Sequence, residues 1–146
     1  MLIEYIIVFI FAAIPWFEIG LVIPLAIIAG LSPFWVILIS IVGNLSTILP
    51  IVYGFEKVKA YLAKRPKKEK RSKRQSRARD IWKKYGLPGL ALLGPILLGI
   101  HIATIIGLSL GASKHRTLLW MTISLVFWGL LFGIVTILGF NVFVRE

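Results

Sequence analysis

Four long apolar runs, separated by short polar links, set the plan of this chain: residues 5–31, 34–53, 86–111 and 118–140. A helix needs about 20 residues to cross the hydrocarbon core of a bilayer. The second and fourth runs, at 20 and 23 residues, have that length and read as single spanning helices. The first and third, at 27 and 26, are longer than a crossing requires. Both are interrupted near the middle, one by Pro15, Gly20 and Pro24, the other by Pro88, Gly94, Pro95 and Gly99. Proline removes a backbone donor and glycine loosens the chain, so each of these runs is expected to bend into a hairpin. Tilt absorbs surplus length but leaves the paired interruptions unexplained.

Composition changes the picture from a list of helices to a membrane protein. Hydrophobic residues make up 58% of the chain and mean hydropathy is +0.90, too apolar for a soluble domain of this length. There is no cysteine, so disulfide and thiolate chemistry are excluded. Two histidines and six acids leave little for a metal cluster, and no nucleophile–base pair falls in the apolar runs, so neither an enzyme nor a cofactor is expected. Glu4 replaces the basic start of a signal peptide, and no small-residue cleavage site follows.

Charge supplies the orientation. Between Lys57 and Lys84 there are 14 Lys or Arg against Glu69 and Asp80, which places that connector in the cytoplasm by the positive-inside rule. Four plain crossings would leave the basic link 112–117 outside. Two re-entrant hairpins put it inside with the other cations, and leave the uncharged Ser32-Pro33 link outside. Trp35 and Tyr53, with Trp120 and Phe140, then mark the ends of the two crossing helices. The expected fold is an all-α integral membrane protein with a single domain, 1–146. Two inverted repeats, 1–54 and 86–146, each hold a re-entrant helical hairpin followed by a transmembrane helix, joined by the basic cytoplasmic connector 55–85. The location expected is a prokaryotic cytoplasmic membrane.

Hairpin tips at bilayer depth must be covered by protein or line a wet cavity. Glu18 is the one acid in the first run, and a carboxylate at that depth has a job. His101 is the one ionisable residue in the third run and suits proton exchange. Were the tips to meet, the two would share a proton or hold a cation. In the second run Ser40, Asn44 and Thr47 fall on one helical face, and Asn44 is the residue expected to contact a solute or freed backbone. Gly99, Ala103, Gly107 and Gly111 recur every four residues as a close-packing stripe, with shorter echoes at Gly129 and Gly133 and at Ala26 and Gly30. Whether the stripes pack within a chain or across a homodimer or higher oligomer is left open by spacing.

The basic stretch Lys64-Arg65-Pro66-Lys67-Lys68-Glu69-Lys70-Arg71 lacks interleaved aromatics, so anionic lipid headgroups, not nucleic acid, are its expected partners. From Ser76 to Tyr85 it reads as a surface helix, with Ile81, Trp82 and Tyr85 against the membrane.

The runs Phe17-Glu18-Ile19-Gly20-Leu21-Val22-Ile23-Pro24-Leu25-Ala26, Gly30-Leu31-Ser32-Pro33 and Gly43-Asn44-Leu45 carry a resemblance. So do Lys84-Tyr85-Gly86-Leu87-Pro88-Gly89-Leu90 and Leu110-Gly111-Ala112-Ser113-Lys114. In this order and spacing, across most of 15–139, the chain resembles the small multidrug export proteins. That family looks like a compact relative of the DedA (VTT) membrane proteins. The resemblance implies two re-entrant hairpins in inverted repeats, a proton-dependent transporter or lipid translocase, and Glu18 as the key acid. Ile19 stands where the pattern has arginine, and Gly94-Pro95-Ile96-Leu97-Leu98-Gly99 replaces the family's Gly-Thr-Gly-like tip, which leaves the site without an intramembrane cation for a phosphate. The function expected is therefore proton- or cation-coupled export of a small or amphipathic solute through Glu18. A lipid translocase and an oligomeric ion channel are the alternatives.

Overall fold

The structure is a computed structural model that describes residues 2–14, 18–64 and 73–144. Among them it is all helix: α1 Leu2–Ala13, α2 Glu18–Ile28, α3 Pro33–Tyr53, α4 Phe55–Ala63, α5 Lys73–Leu97, α6 Ile100–Ser109 and α7 Lys114–Val144. By its contacts the chain divides into two compact units. One holds residues 1–47 with 125–146, the other 48–124. Each unit has its own helical hairpin.

In the first unit α1 stops one residue short of Ile14, the residue that a following Pro15 steers away from helix. α2 then returns alongside α1. The two ends of the pair meet where the Ser32 amide donates to the Tyr5 hydroxyl at 3.4 Å. The legs are 12 and 11 residues long, so at about 1.5 Å per residue each covers roughly half of a hydrocarbon core. In the second unit Gly86 (φ 69°, ψ −157°) splits α5 into a basic half and an apolar half. The apolar half, 87–97, packs antiparallel to α6: a side chain at Gly94 would sit 2.5 Å from the Ala103 Cβ, and one at Gly107 would meet Leu90 and Leu87. Ala103 and Gly107, two members of the small-residue stripe, thus let the legs of one hairpin approach closely.

The links from hairpin to long helix share one construction. Gly30 (φ 95°) and Gly111 (φ 104°) take the left-handed conformation that lets a helix end abruptly. After each, the next amide reaches back five residues, Leu31 to the Ala26 carbonyl and Ala112 to that of Gly107, both at 3.1 Å. Gly30 and Gly111 are 81 residues apart, and the same offset brings several buried positions on either side of them into register. Ile19, Val22, Ile23 and Ala26 match Ile100, Ala103, Thr104 and Gly107. Val36, Ser40, Gly43, Asn44 and Ile48 match Thr117, Met121, Ser124, Leu125 and Gly129. All are buried.

Among the described residues α3 and α7 are the two helices long and apolar enough to cross a membrane, with mean hydropathies of 2.1 and 2.3. Only 33% and 22% of their apolar windows are buried, so most of that oily surface faces outward, unlike the core helix of a soluble protein. Within the first unit they run antiparallel, Ile37 lying against Gly133 and Ile41 against Gly129.

Several expected breaks fall elsewhere. Gly20 and Pro24 lie inside α2, and Pro95 lies inside the last turn of α5; only Gly99, the residue before α6, is at a turn (φ 87°). A proline removes a single helix bond, which a short helix tolerates when a neighbour serves the freed carbonyl. Pro15, with Trp16 and Phe17, lies outside the described residues, as do 65–72 of the basic connector. α4 has no counterpart in the apolar runs, and the surface helix expected at 76–85 is the first half of α5, starting at Lys73.

Candidate functional site

The polar side chains of these helices fall into two kinds. Most hydroxyls bond back to their own helix: Ser46 to the Gly43 carbonyl (2.6 Å), Thr47 to that of Asn44 (2.8 Å), Thr104 to that of Ile100 (2.7 Å) and Thr122 to that of Leu118 (2.7 Å). Such bonds add nothing chemical to a site. Ser40 and Asn44 differ. Both are fully buried, and among the described residues Ser40 Oγ, Asn44 Oδ1 and Asn44 Nδ2 meet no hydrogen-bond partner.

Four contacts close a ring of segments around this pair. α1 lies on α3, where a side chain at Gly43 would come 2.6 Å from the Phe9 carbonyl oxygen. α3 lies on α7 through Ile37 and Ile41. α7 lies on α2, with Phe132 3.4 Å from the Cβ position of Gly20, and α2 returns to α1 at Ser32 and Tyr5. Ser40 shares its face with Gly43, three residues on, and Asn44 shares its face with Ile41. The pair therefore straddles the seam between α1 and α7, and points to the interior of the ring. An amide and a hydroxyl four residues apart are neighbours on a helix. Together they offer two neutral oxygens and up to three donors, enough for a small polar group or a cation, and too few to bind either tightly alone.

Glu18 is the first residue of α2, two before Gly20, and belongs to the same unit as Asn44. Its side chain lies outside the described residues. His101 is buried, 4% exposed, on α6 in the other unit. Sequence reasoning thus named one residue of the buried pair, Asn44, and passed over Ser40 as a hydroxyl of the kind that bonds to its own helix. Among the described residues no three His, Cys, Asp or Glu side chains gather to hold a metal ion. An apolar groove of about 430 Å³ runs beside the ring between α1 and α2, lined by Ile7, Val8, Phe11, Leu21 and Leu25, with Glu4 at its edge.

The second unit uses the corresponding places differently. Ser124, the counterpart of Gly43, donates its hydroxyl to the Ala91 carbonyl at 2.5 Å. Pro95 stands four residues after Ala91 and has no N–H to give it, so α7 satisfies the carbonyl that the proline frees in α5. The sequence signal for this link was Pro95 itself.

A comparison with protein families now places the chain. Residues 18–131 match the family described as putative small multi-drug export protein, beginning at Glu18 and ending within α7. The chain belongs to that family. No curated protein and no solved structure matches it. Family and helices agree that this is a membrane protein of an export family. The matched span takes in Ser40, Asn44, Ser124 and both glycine turns, while α1, half of the first hairpin, precedes it.

Proposed function

We propose that this small multidrug export family member is a secondary transporter, which exports a small or amphipathic solute in exchange for protons or another cation. The solute-facing site is Ser40 and Asn44, with Glu18 as the group that carries the coupling charge. The observation that carries this reading is the unpartnered pair. A buried polar group without a partner costs about 1–3 kcal/mol, and native chains keep such groups where a ligand or water supplies the missing bond. The groove between α1 and α2 gives an apolar body somewhere to lie beside it.

The membrane arrangement that goes with this function is two re-entrant hairpins in inverted repeats. The short hairpin legs, the repeated glycine turns and the antiparallel α3 and α7 support it, and the cations of 55–85 orient it with the connector in the cytoplasm. A cysteine at position 32 and another at 113 test the topology in a chain that has none of its own. Labelling from opposite sides of the membrane supports the hairpins, whereas same-side labelling gives four plain crossings.

For transport itself, the protein is reconstituted in proteoliposomes with a pH-sensitive dye inside and a lipophilic cation such as tetraphenylphosphonium as probe. Glu18→Gln is expected to abolish proton movement coupled to the probe while leaving assembly intact. Unchanged coupled flux in that variant ends the proposal, and flipping of labelled lipid by the same vesicles would replace it with a lipid translocase.

A further inference from the structure

A second cavity lies in the other unit, where the start of the apolar half of α5 meets the turn into α7. It measures about 430 Å³ and is lined by Trp82, Leu87, Pro88, Ala112, Arg116 and Trp120, with Gly111 and Ser113 completing the turn. The Ser113 hydroxyl caps α7 by accepting from the Arg116 amide at 3.3 Å, which fixes Arg116 as the third residue of the helix. Among the described residues the Arg116 guanidinium meets no carboxylate. Next to it Thr117 is fully buried, and its Oγ1 has no hydrogen-bond partner among those residues either.

Depth decides what this cavity sees. The candidate span Lys114–Val142 has 29 residues, about 43 Å at 1.5 Å per residue. That exceeds a hydrocarbon core of about 30 Å and matches a bilayer with its headgroup layers. The first turns of α7 therefore stand at headgroup level, where tryptophan side chains concentrate. A cation, two indoles and an apolar floor at that level fit one kind of ligand. Guanidinium takes a phosphate by paired hydrogen bonds, while Leu87 and Pro88 take the hydrocarbon beneath it.

We propose that this cavity is a binding site for the phosphate-bearing headgroup of an anionic phospholipid, with its phosphate on Arg116 and its glycerol end between Trp82 and Trp120. It rests on the membrane location alone and stands apart from the solute site at Ser40 and Asn44. Bound there, the lipid ties the α6–α7 turn to the start of the hairpin in α5 and anchors the second unit to one leaflet.

Native mass spectrometry of the full chain in detergent tests this, with phosphatidylglycerol and phosphatidylcholine of matched acyl chains as probes. The wild type is expected to retain phosphatidylglycerol in preference. Arg116→Gln is expected to weaken that retention roughly tenfold or more, as loss of a charge-assisted pair would. Ala112→Phe, which fills the cavity and keeps every cation, is expected to do the same, and Lys114→Gln to do much less. Equal losses in Arg116→Gln and Lys114→Gln would mean general charge attraction and overturn the site, as would full retention in Ala112→Phe. Displacement of the lipid by millimolar inorganic phosphate would overturn the lipid assignment in favour of a free anion.

Discussion

In both units a long helix crosses its hairpin at the same place, yet the two crossings are chemically opposite. In the first, Gly43 brings α3 directly onto the Phe9 carbonyl, with Ser40 and Asn44 buried and unpaired beside it. In the second, Ser124 sends its hydroxyl to the Ala91 carbonyl, and the place of Ser40 belongs to the buried Met121; Leu125, the buried counterpart of Asn44, is the next residue of α7 and already lies in the first unit. At this crossing the second unit uses a hydrogen bond where the first has a bare glycine beside two polar groups. A chain that can fill this position with Met and Leu has no structural need for Ser and Asn there. The difference supports the solute site proposed at Ser40 and Asn44 in the first unit.

The sharpest way to break that comparison is to write the residues of the matching α7 positions, Met121 and Leu125, into α3. Ser40→Met with Asn44→Leu is expected to abolish coupled flux in proteoliposomes. Replacing unpaired buried polar groups by apolar ones of similar size is neutral or stabilising, so the melting temperature in detergent should hold or rise. Retained flux would show that the pair has no part in transport, and a large fall in melting temperature would show that it was structural after all.

Close approach is the next test. A Cβ at Gly43 would stand 2.6 Å from backbone oxygen, and one at Gly94 would stand 2.5 Å from the Ala103 Cβ, neither of which is the end of a flexible side chain. Gly43→Ala and Gly94→Ala are each expected to cost about 1–3 kcal/mol by overpacking, a fall of several degrees in melting temperature. Gly139, with nothing within 4 Å of its Cβ position, is the control whose change to alanine should not destabilise.

Ser124 gives a smaller effect with a built-in cross-check. Ser124→Ala leaves the buried Ala91 carbonyl unserved and is expected to cost about 1–2 kcal/mol. Pro95→Ala restores the amide that would bond that carbonyl within α5. In that background Ser124→Ala should cost less, so the double-mutant cycle should show coupling of at least about 0.5 kcal/mol. Additive costs would mean that the serine does not compensate for the proline.

How far these features could be read from the chain follows from how local they are. α3 and α7 stand within a few residues of the second and fourth apolar runs, because length and hydropathy are properties of the run itself. By their spacing Gly30 and Gly111 read as close-packing positions, but both stand in helix-ending turns with nothing within 4 Å of a Cβ, because the spacing of small residues does not tell a packed glycine from a left-handed one. Pro24 and Pro95 were misplaced as breaks, since whether a proline ends a short helix depends on a partner for the carbonyl it frees. For Pro95 that partner is Ser124, 33 residues beyond Ala91 in the chain, which no window reaches. The amphipathic α4 escaped because its nine residues carry two lysines and a glutamate among their apolar side chains. Asn44 was legible as an amide on an oily helix. Ser40 was not, since only the fold tells a hydroxyl bonded to its own helix from one left alone.

That last distinction carries the smallest effect and the most direct check on the whole comparison. Thr122 donates to the Leu118 carbonyl at 2.7 Å, two residues before Ser124 on the same helix. Inside a regular helix that carbonyl already accepts the Thr122 amide, so the hydroxyl doubles a bond that exists. Thr122→Val keeps the branched shape and is expected to shift stability by less than about 0.5 kcal/mol. Thermal unfolding of Thr122→Val beside Ser124→Ala measures the gap between a hydroxyl that repeats a bond and one that supplies a missing one. Were the two to lose equal stability, freed carbonyls would not explain why Ser124 is there. The contrast between the two units at this crossing would then rest on Met121 alone.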